Sequence, residues 1–278
     1  MKFENTQVFN FEGAIRGMRN PLNSWNKSDS FFGLINLEYD FPDADMVADS
    51  WIDNENIGRV ERGLEPLSAD MEDYSQYYDI LDRYCSWMRD VGILRVDNEL
   101  ADVAFLGYED LRLAQKLVKA GPEHAKFMRQ IMVSVDITAP LFFWKEFDTY
   151  KVGTTANSTS TMHKLASTRI TRDCFETDPS EDRLQLIDPT HVCVRVDTFI
   201  DDLEQMRQLY EFTKDKRYWK SLIRWLPESY LQTRTVTMNY AVLRNIFFQR
   251  KGHKLSEWEQ FIDWLSILPY GRELITLE

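Results

Sequence analysis

The sequence predicts an α+β protein, and three observations carry that prediction. Apolar residues alternate strictly around Val133, a second β-branched run begins at Ser229, and several other segments repeat their apolar residues with the helical period. Along the chain, Gly13-Ala14-Ile15-Arg16-Gly17-Met18-Arg19 suits a strand or short helix, and Asn20-Pro21-Leu22-Asn23-Ser24 suits the loop after it. Residues 38–73 are dense in Asp and Glu and read as a solvated acidic surface. From Glu72 to Met88 the spacing of Tyr74, Tyr77, Tyr78, Leu81, Tyr84, Cys85 and Met88 predicts an amphipathic helix whose aromatic stripe belongs to a core or subunit interface. A helix over Glu109 to Ala120 stops at Gly121-Pro122.

The clearest strand follows, with Ile131, Val133, Val135 and Ile137 alternating with Gln130, Met132, Ser134 and Asp136. Pro140 then suits the first turn of a helix reaching Tyr150. Gly153 to Ser160, rich in Thr, Ser and Asn, reads as a loop or helix start able to hold anions. Asp197, as N-cap, opens a helix to Phe212 that buries Phe199, Leu203, Met206, Leu209 and Tyr210. Ser229 to Thr237 has strand composition. Asn239 caps a helix running to Arg250, which Gly252 closes, and Ser256 with Glu259 forms a capping box for a last helix carrying Trp258.

Composition excludes several classes of function. With 44% hydrophobic and 13% aromatic residues, the chain is no disordered polymer. A formal net charge of −12 repels polyanions and argues against general nucleic-acid binding, although a local basic pocket for one phosphate remains compatible with it. Cys85, Cys174 and Cys193 are odd in number and irregularly spaced, as ordinary thiols of a reducing compartment are. No run of 18 apolar residues and no signal-like N-terminus occur, so the expected location is the cytoplasm, without membrane insertion. Neither a Gly-x-Gly-x-x-Gly nor a P-loop pattern is present. His124, His163, His191 and His253 lie too far apart to form a recognisable metal motif, so no metal is expected, and no Gly-x-Ser-x-Gly elbow occurs.

Two blocks resemble the flavin-dependent thymidylate synthases. The first, Leu111 to His163, contains Leu117-Val118-Lys119-Ala120-Gly121, the alternating strand and Thr138-Ala139-Pro140-Leu141-Phe142 in the family's order. Where the family carries Arg-His-Arg, seven residues and a Ser, this chain has Thr149-Tyr150-Lys151, eight residues and Ser160. Met162-His163 stands where an Arg-Tyr closes the motif, Ser158 replaces a Glu, and Glu146 replaces a Gln. In the second block, Leu226-Pro227, Tyr230, Thr237, Asn239, Asn245 and Arg250 fall at the family's spacing, with Trp258-Glu259 after one extra residue. Ala241 replaces a family Arg, and Arg224 is displaced by one position from a basic residue before Leu-Pro.

The resemblance implies a twisted, mainly antiparallel sheet flanked by helices, in one domain over 1–278 with an acidic and aromatic insertion at about 31–105. It also implies a homo-oligomer, the family's homotetramer, with sites between subunits. The implied activity is one-carbon transfer to C5 of a deoxypyrimidine monophosphate, dUMP to dTMP or a related change. FAD would be the cofactor, with NADPH and methylene-tetrahydrofolate as co-substrates. Arg250 would bind and polarise the pyrimidine, where a guanidinium can offer two parallel hydrogen bonds. Arg224, Ser160 and Glu146 would complete the substrate side; Asn239, Asn245, Asn157, Lys151 and Thr155 would hold the cofactor. Asn239 and Arg250, eleven residues apart, return to nearly one helix face and on that reading address one pocket.

Plainer roles stand beside these: Asn239 as helix cap, Arg250 as a C-terminal arginine facing the dipole, Ser160 and Thr155 as turn residues, and Glu146 and His253 as surface. Asn245 sits among Leu243, Ile246, Phe247 and Phe248, a setting that implies a buried amide. Two further functions compete with the enzyme. One is an inactive relative that binds a nucleotide or regulates; the other is a structural protein whose acidic insertion recruits partners.

Overall fold

The computed structural model describes residues 1–36, 44–68, 74–91, 100–177 and 196–278. The chain is mixed α and β, with antiparallel sheets flanked by helices. A four-stranded sheet has the order β1-β4-β6-β5, built from β1 (Lys2–Phe9), β4 (Met132–Pro140), β5 (Thr155–Ser158) and β6 (Leu231–Asn239). A separate antiparallel pair joins β2 (Phe31–Asn36) to β3 (Leu100–Phe105), with Phe31 opposite Phe105 and Gly33 opposite Val103. Contacts divide the chain into two compact units. Unit 1 comprises 1–4, 135–151 and 155–236; unit 2 comprises 5–134, 152–154 and 237–278.

In unit 2, Gly13 to Arg19 belongs to a helix, α1 (Phe11–Arg19), because Phe11, Ala14, Ile15 and Met18 share one buried face. α2 (Ala44–Glu61) occupies part of the acidic segment, of which 38–43 and 69–73 lie outside the described residues. Ile52, Glu55 and Arg59 of α2 are buried, so the stretch is not uniformly a solvated surface. α3 (Tyr74–Asp90) buries Tyr77, Leu81, Tyr84, Cys85, Trp87 and Met88, which makes its aromatic stripe core; the expected first turn at Glu72 falls outside the described residues.

α4 (Tyr108–Lys119) takes its cap from a distant residue. Its own N-cap is Gly107, and the Asp29 carboxylate accepts from Glu109 N (2.7 Å) and Asp110 N (3.0 Å). A Cβ on Gly107 would lie 2.4 Å from the Asp29 backbone, so only glycine admits this approach. Asp110, fully buried, accepts from Arg19 Nε (2.6 Å), Ser28 Oγ (2.5 Å) and Ser30 Oγ (2.7 Å).

Asp29 also hydrogen-bonds the buried carboxyl of Glu55. Two backbone donors favour the Asp29 anion, so Glu55 carries the shared proton, and burial with the nearby Asp29 charge pushes its pKa up to about 8. An unfolded Glu55 loses that proton near 4.5. The folded protein therefore binds the proton more tightly, and stability falls as pH rises from 4.5 to about 8. Replacing Glu55 with Gln should flatten this decline and stabilise the protein at pH 8.5 by about 1 kcal/mol or more, several degrees in Tm, with little gain at pH 5. Parallel melting-temperature profiles for the two proteins would contradict it.

Unit 1 contains α5 (Leu141–Phe147), α6 (Thr161–Lys164), α7 (Val196–Thr213) and α8 (Lys216–Trp225). Pro140 ends β4 and caps α5 rather than entering its first turn, and the helix stops at Phe147, short of Tyr150. Trp144 of α5 is buried and donates Nε1 to Ala139 O and Gln232 O, which leaves no lone indole N–H in the core. Gly153 to Ser160 is not all loop, since Thr155 to Ser158 form strand β5.

Asp197 lies inside the first turn of α7 and pairs with Arg172 at 3.2 Å instead of capping. Of the expected stripe, Leu203 is buried and Phe199 and Met206 pack partly buried against the same core, while Leu209 is 43% exposed and Ile200, Glu204 and Arg207 also face inward. Glu204 binds Arg207 in two places and accepts from Ile170 N, and Arg207, its strongest partner, holds its pKa down at about 2. Leu165, Ile170, Phe175, Ile200, Leu203 and Leu222 form the apolar core beneath this pair.

In unit 2 again, α9 (Tyr240–Arg250) buries Tyr240, Leu243, Ile246 and Phe247, and α10 (Ser256–Ile267) buries Trp258, Phe261, Trp264 and Leu265. Leu255 is the N-cap of α10 with no side-chain capping bond, so the Ser256–Glu259 box is not formed. Cys85 and Cys174 form no disulfide; Cys193 and His191 lie outside the described residues.

Candidate functional site

The site centres on the two ends of α9 in unit 2. At its start, Asn239 leaves β6 in an extended conformation (φ −122°, ψ 165°), and its Oδ1 accepts from Val242 N at 3.0 Å. That bond occupies the carbonyl and leaves the Nδ2 amide as the cap's remaining donor group. Gly153 stands against this cap. A Cβ there would lie 3.1 Å from Val242 Cγ2 and 3.3 Å from Asn239 Nδ2, and its φ of +76° is left-handed. Both facts require glycine. The next residue, Thr154, has a buried Oγ1 with no hydrogen-bond partner among the described residues. Leaving a buried hydroxyl unpaired costs about 1–3 kcal/mol, so this geometry asks for a partner beyond the described residues. The loop of the first sequence block thus meets the helix cap of the second.

At the far end of α9, Gly252 turns the chain (φ +71°) so that α10 follows and Trp258 comes back under Arg250. The Arg250 Cζ lies 4.4 Å from the Trp258 ring centroid, and Nη1 lies 3.3 Å from His253 Nε2. An indole under one face of a guanidinium orients it. Asn239 and Arg250 share a helix face, yet the rise between them is ~16 Å.

Asn245 is exposed and accepts from Gln249 Nε2 at 3.0 Å. Its apolar sequence neighbours Leu243, Ile246 and Phe247 turn to the buried face, and Phe248 shares the open side at 42% exposure. The expectation of a buried amide fails because one residue step rotates a helix by about 100°.

The remaining candidates belong to unit 1. Lys151, Thr155 and Asn157 are exposed, the latter two on β5. Ser160 caps α6, accepting from His163 N at 3.2 Å. Glu146 is half-buried, and its carbonyl accepts from Thr149 Oγ1 at 2.7 Å. Arg224 is exposed in the last turn of α8. Near Ser160, a cleft of about 500 Å³ is bordered by His163, Lys214, Lys216 and Trp219.

Sequence reading missed Arg234, whose guanidinium covers the Trp144 ring at 4.2 Å and donates to Asp148 (2.7 Å) and Gln232 (3.0 Å). It also passed over Thr154, for which no local pattern signals burial. Among the described residues, no cluster of His, Cys, Asp and Glu could hold a metal, and no helix is long and apolar enough to cross a membrane.

A flavin can be tested against these residues. Asn239 Nδ2 and the unpaired Thr154 hydroxyl fit the polar edge of a planar ring. The positions that carry Arg-His-Arg in the resembled family do not supply a phosphate cluster: Thr149 bonds Glu146, Tyr150 is buried against Phe147, and only Lys151 is an exposed cation.

No protein-family model matches the chain, and no curated protein matches it. Among solved structures, flavin-dependent thymidylate synthase ThyX from Helicobacter pylori, complexed with FAD and dUMP, aligns with a TM-score of 0.45 at 17% identity. The alignment covers 61% of this chain and 83% of that one. A second H. pylori ThyX structure with FAD and dUMP gives 0.45 and 17% over 61% and 82%. The similarity is distant.

Proposed function

We propose that the chain is a flavin-dependent enzyme that transfers a one-carbon unit to C5 of a deoxypyrimidine monophosphate. The observation that carries this reading is the buried Thr154 hydroxyl, without a partner among the described residues, next in the chain to the left-handed Gly153 that packs against the Asn239 cap, where the two family-like sequence blocks meet. Asn239 and Thr154 hold the edge of the flavin, which when bound supplies the hydride. About three helical turns away, Arg250, braced on Trp258, donates its parallel N–H groups to the pyrimidine and stabilises negative charge developing on the ring. Methylene-tetrahydrofolate and NADPH are the co-substrates.

The burial of Tyr150 and the internal bond of Thr149 favour one second reading, a relative that binds the nucleotide without flavin. Absorbance between roughly 350 and 500 nm during FAD titration separates the two, because bound flavin absorbs there. On the first reading the spectrum shifts and saturates, dUMP binds, and Arg250→Ala weakens dUMP binding by about 100-fold. Thr154→Val should weaken FAD binding while stabilising the apoprotein by about 1 kcal/mol, opposite signs that a purely structural threonine cannot give. Binding of dUMP without flavin uptake selects the second reading. Protein indifferent to both ligands ends the proposal.

A further inference from the structure

The turn from α7 to α8 in unit 1 reads Thr213-Lys214-Asp215-Lys216-Arg217. Both of its lysines stand where local structure disfavours them. Lys214 is left-handed (φ +54°), with its N–H donating to Tyr210 O at 2.8 Å. Glycine or asparagine usually fills this position, because a longer side chain crowds the backbone there. Lys216 opens α8 and, with Arg217, puts positive charge at the helix end that is already positive, with no acidic residue in that turn. Asp215, the cap, accepts from Arg217 N (2.9 Å) and from the Arg217 guanidinium (2.6 and 2.8 Å). Among the described residues, no carboxylate pairs with Lys214 or Lys216. Departures from local preference concentrate at functional sites.

Both lysines border one cleft, of about 500 Å³, whose other residues include Met162, Tyr210 and Trp219. Asn239, Asn245 and Arg250 are not among them. Trp219 is half-buried, and its Nε1 donates to Met162 O at 3.2 Å, which fixes the indole by one edge. Among the described residues, no aromatic ring or cation stacks on that indole. Lys214 Nζ lies 5.9 Å from the Tyr210 ring centroid, a neutral partner that leaves its charge in place. The carboxylate of the lining, Glu211, is held by Arg207 at 2.7 Å.

We propose that this cleft binds a small planar aromatic acid, its ring against Trp219 and Met162 and its carboxylate between Lys214 and Lys216. An indole pinned at its edge offers a face to an offset ring, and a thioether is a favourable neighbour for aromatic groups. Two ammonium groups without carboxylate partners supply the countercharge, and a partly enclosed cleft strengthens their attraction above its value in bulk water. The volume suits a small organic ligand rather than a lone ion, ligand pockets being roughly 300–1,000 Å³. Ring and charge are both required. A simple anion leaves the indole unused, and a neutral ring leaves the lysines unused.

Calorimetric titration of the full chain with sodium 2-naphthoate at about pH 7 and constant ionic strength tests the assignment. The expected result is one saturable site with Kd below about 1 mM. Naphthalenemethanol keeps the rings without the charge, and cyclohexanecarboxylate keeps the charge without the aromatic face; each should bind about tenfold more weakly or worse. The double variant Lys214→Gly/Lys216→Ala should melt at or above the wild-type temperature, since both changes suit their local positions better, and bind naphthoate about tenfold more weakly or worse. Trp219→Leu provides an independent weakening through loss of the ring face, with its melting curve as the control for folding. Arg250→Ala should bind naphthoate as the wild type does, which keeps this outcome separate from the proposed function of α9. Absence of saturation by about 10 mM, equal affinity for either analogue, undiminished binding in the lysine variant, or loss of binding in Arg250→Ala would each overturn the assignment.

Discussion

Asp110→Ala should lower the melting temperature by about 10 °C, the largest single-residue effect we expect away from the site. Asp110 is fully buried, and Arg19, its partner at 2.6 Å, is 6% exposed. Removing the carboxylate strands a buried guanidinium and leaves the Ser28 and Ser30 hydroxyls without their acceptor. Breaking one side of such a pair costs about 3–5 kcal/mol, much more than the pair itself contributes. At roughly 2–4 °C per kcal/mol for chains near this length, a shift of about 10 °C follows. The double variant Arg19→Met/Asp110→Leu should recover more than half of the loss, because neither charge then remains buried alone. Thermal unfolding followed by circular dichroism measures both, and a single-variant loss below about 1 kcal/mol would mean that water reaches the pair.

Trp258 couples the second large effect to function. Its side chain is fully buried, packs edge-on against Phe261 at 5.7 Å and carries the Arg250 guanidinium at 4.4 Å. Trp258→Ala should cost about 3–5 kcal/mol, as expected for a large aromatic in a closed core. Trp258→Phe is the sharper experiment. It keeps most of the apolar volume but weakens the cation–π contact, so the loss of stability should be small while dUMP affinity falls several-fold through a less ordered Arg250. Equal losses in the Phe variant and in Arg250→Ala would point to collapse of the site. Unchanged dUMP binding in the Phe variant would show that the indole does not position Arg250.

Much of the fold is legible locally. The alternation of Ile131 to Ile137 appears as β4, and the Asn239 cap, the helix to Arg250 and the turn at Gly252 occur where their residue types place them. Each is encoded by contacts a few residues apart. α8 escaped notice because only Leu222 is buried along it and its cap, Asp215 accepting from Arg217 N, is one of many acidic residues in the region. β5 has four exposed residues and therefore no alternation to read. Ser256 and Glu259 have the right spacing for a capping box, but the helix begins one residue earlier than that box requires, with Leu255 at the N-cap.

By itself, then, the sequence determined β4, β6 and the helices with a clear apolar period, the caps at Asn239 and Gly252, the acidic balance and the two family-like blocks, since these depend on composition or on neighbours within one or two turns. Tertiary structure alone decided that the Thr154 hydroxyl is buried, that Gly153 lies against Asn239, that Asn245 faces water, and that Arg250 rests on Trp258. It alone decided that Met162, Tyr210, Lys214, Lys216 and Trp219 border one cleft. Those facts depend on chain crossings between residues up to 86 positions apart, from 153 to 239 at the cap, and no local period encodes which distant side chains share a low-dielectric neighbourhood.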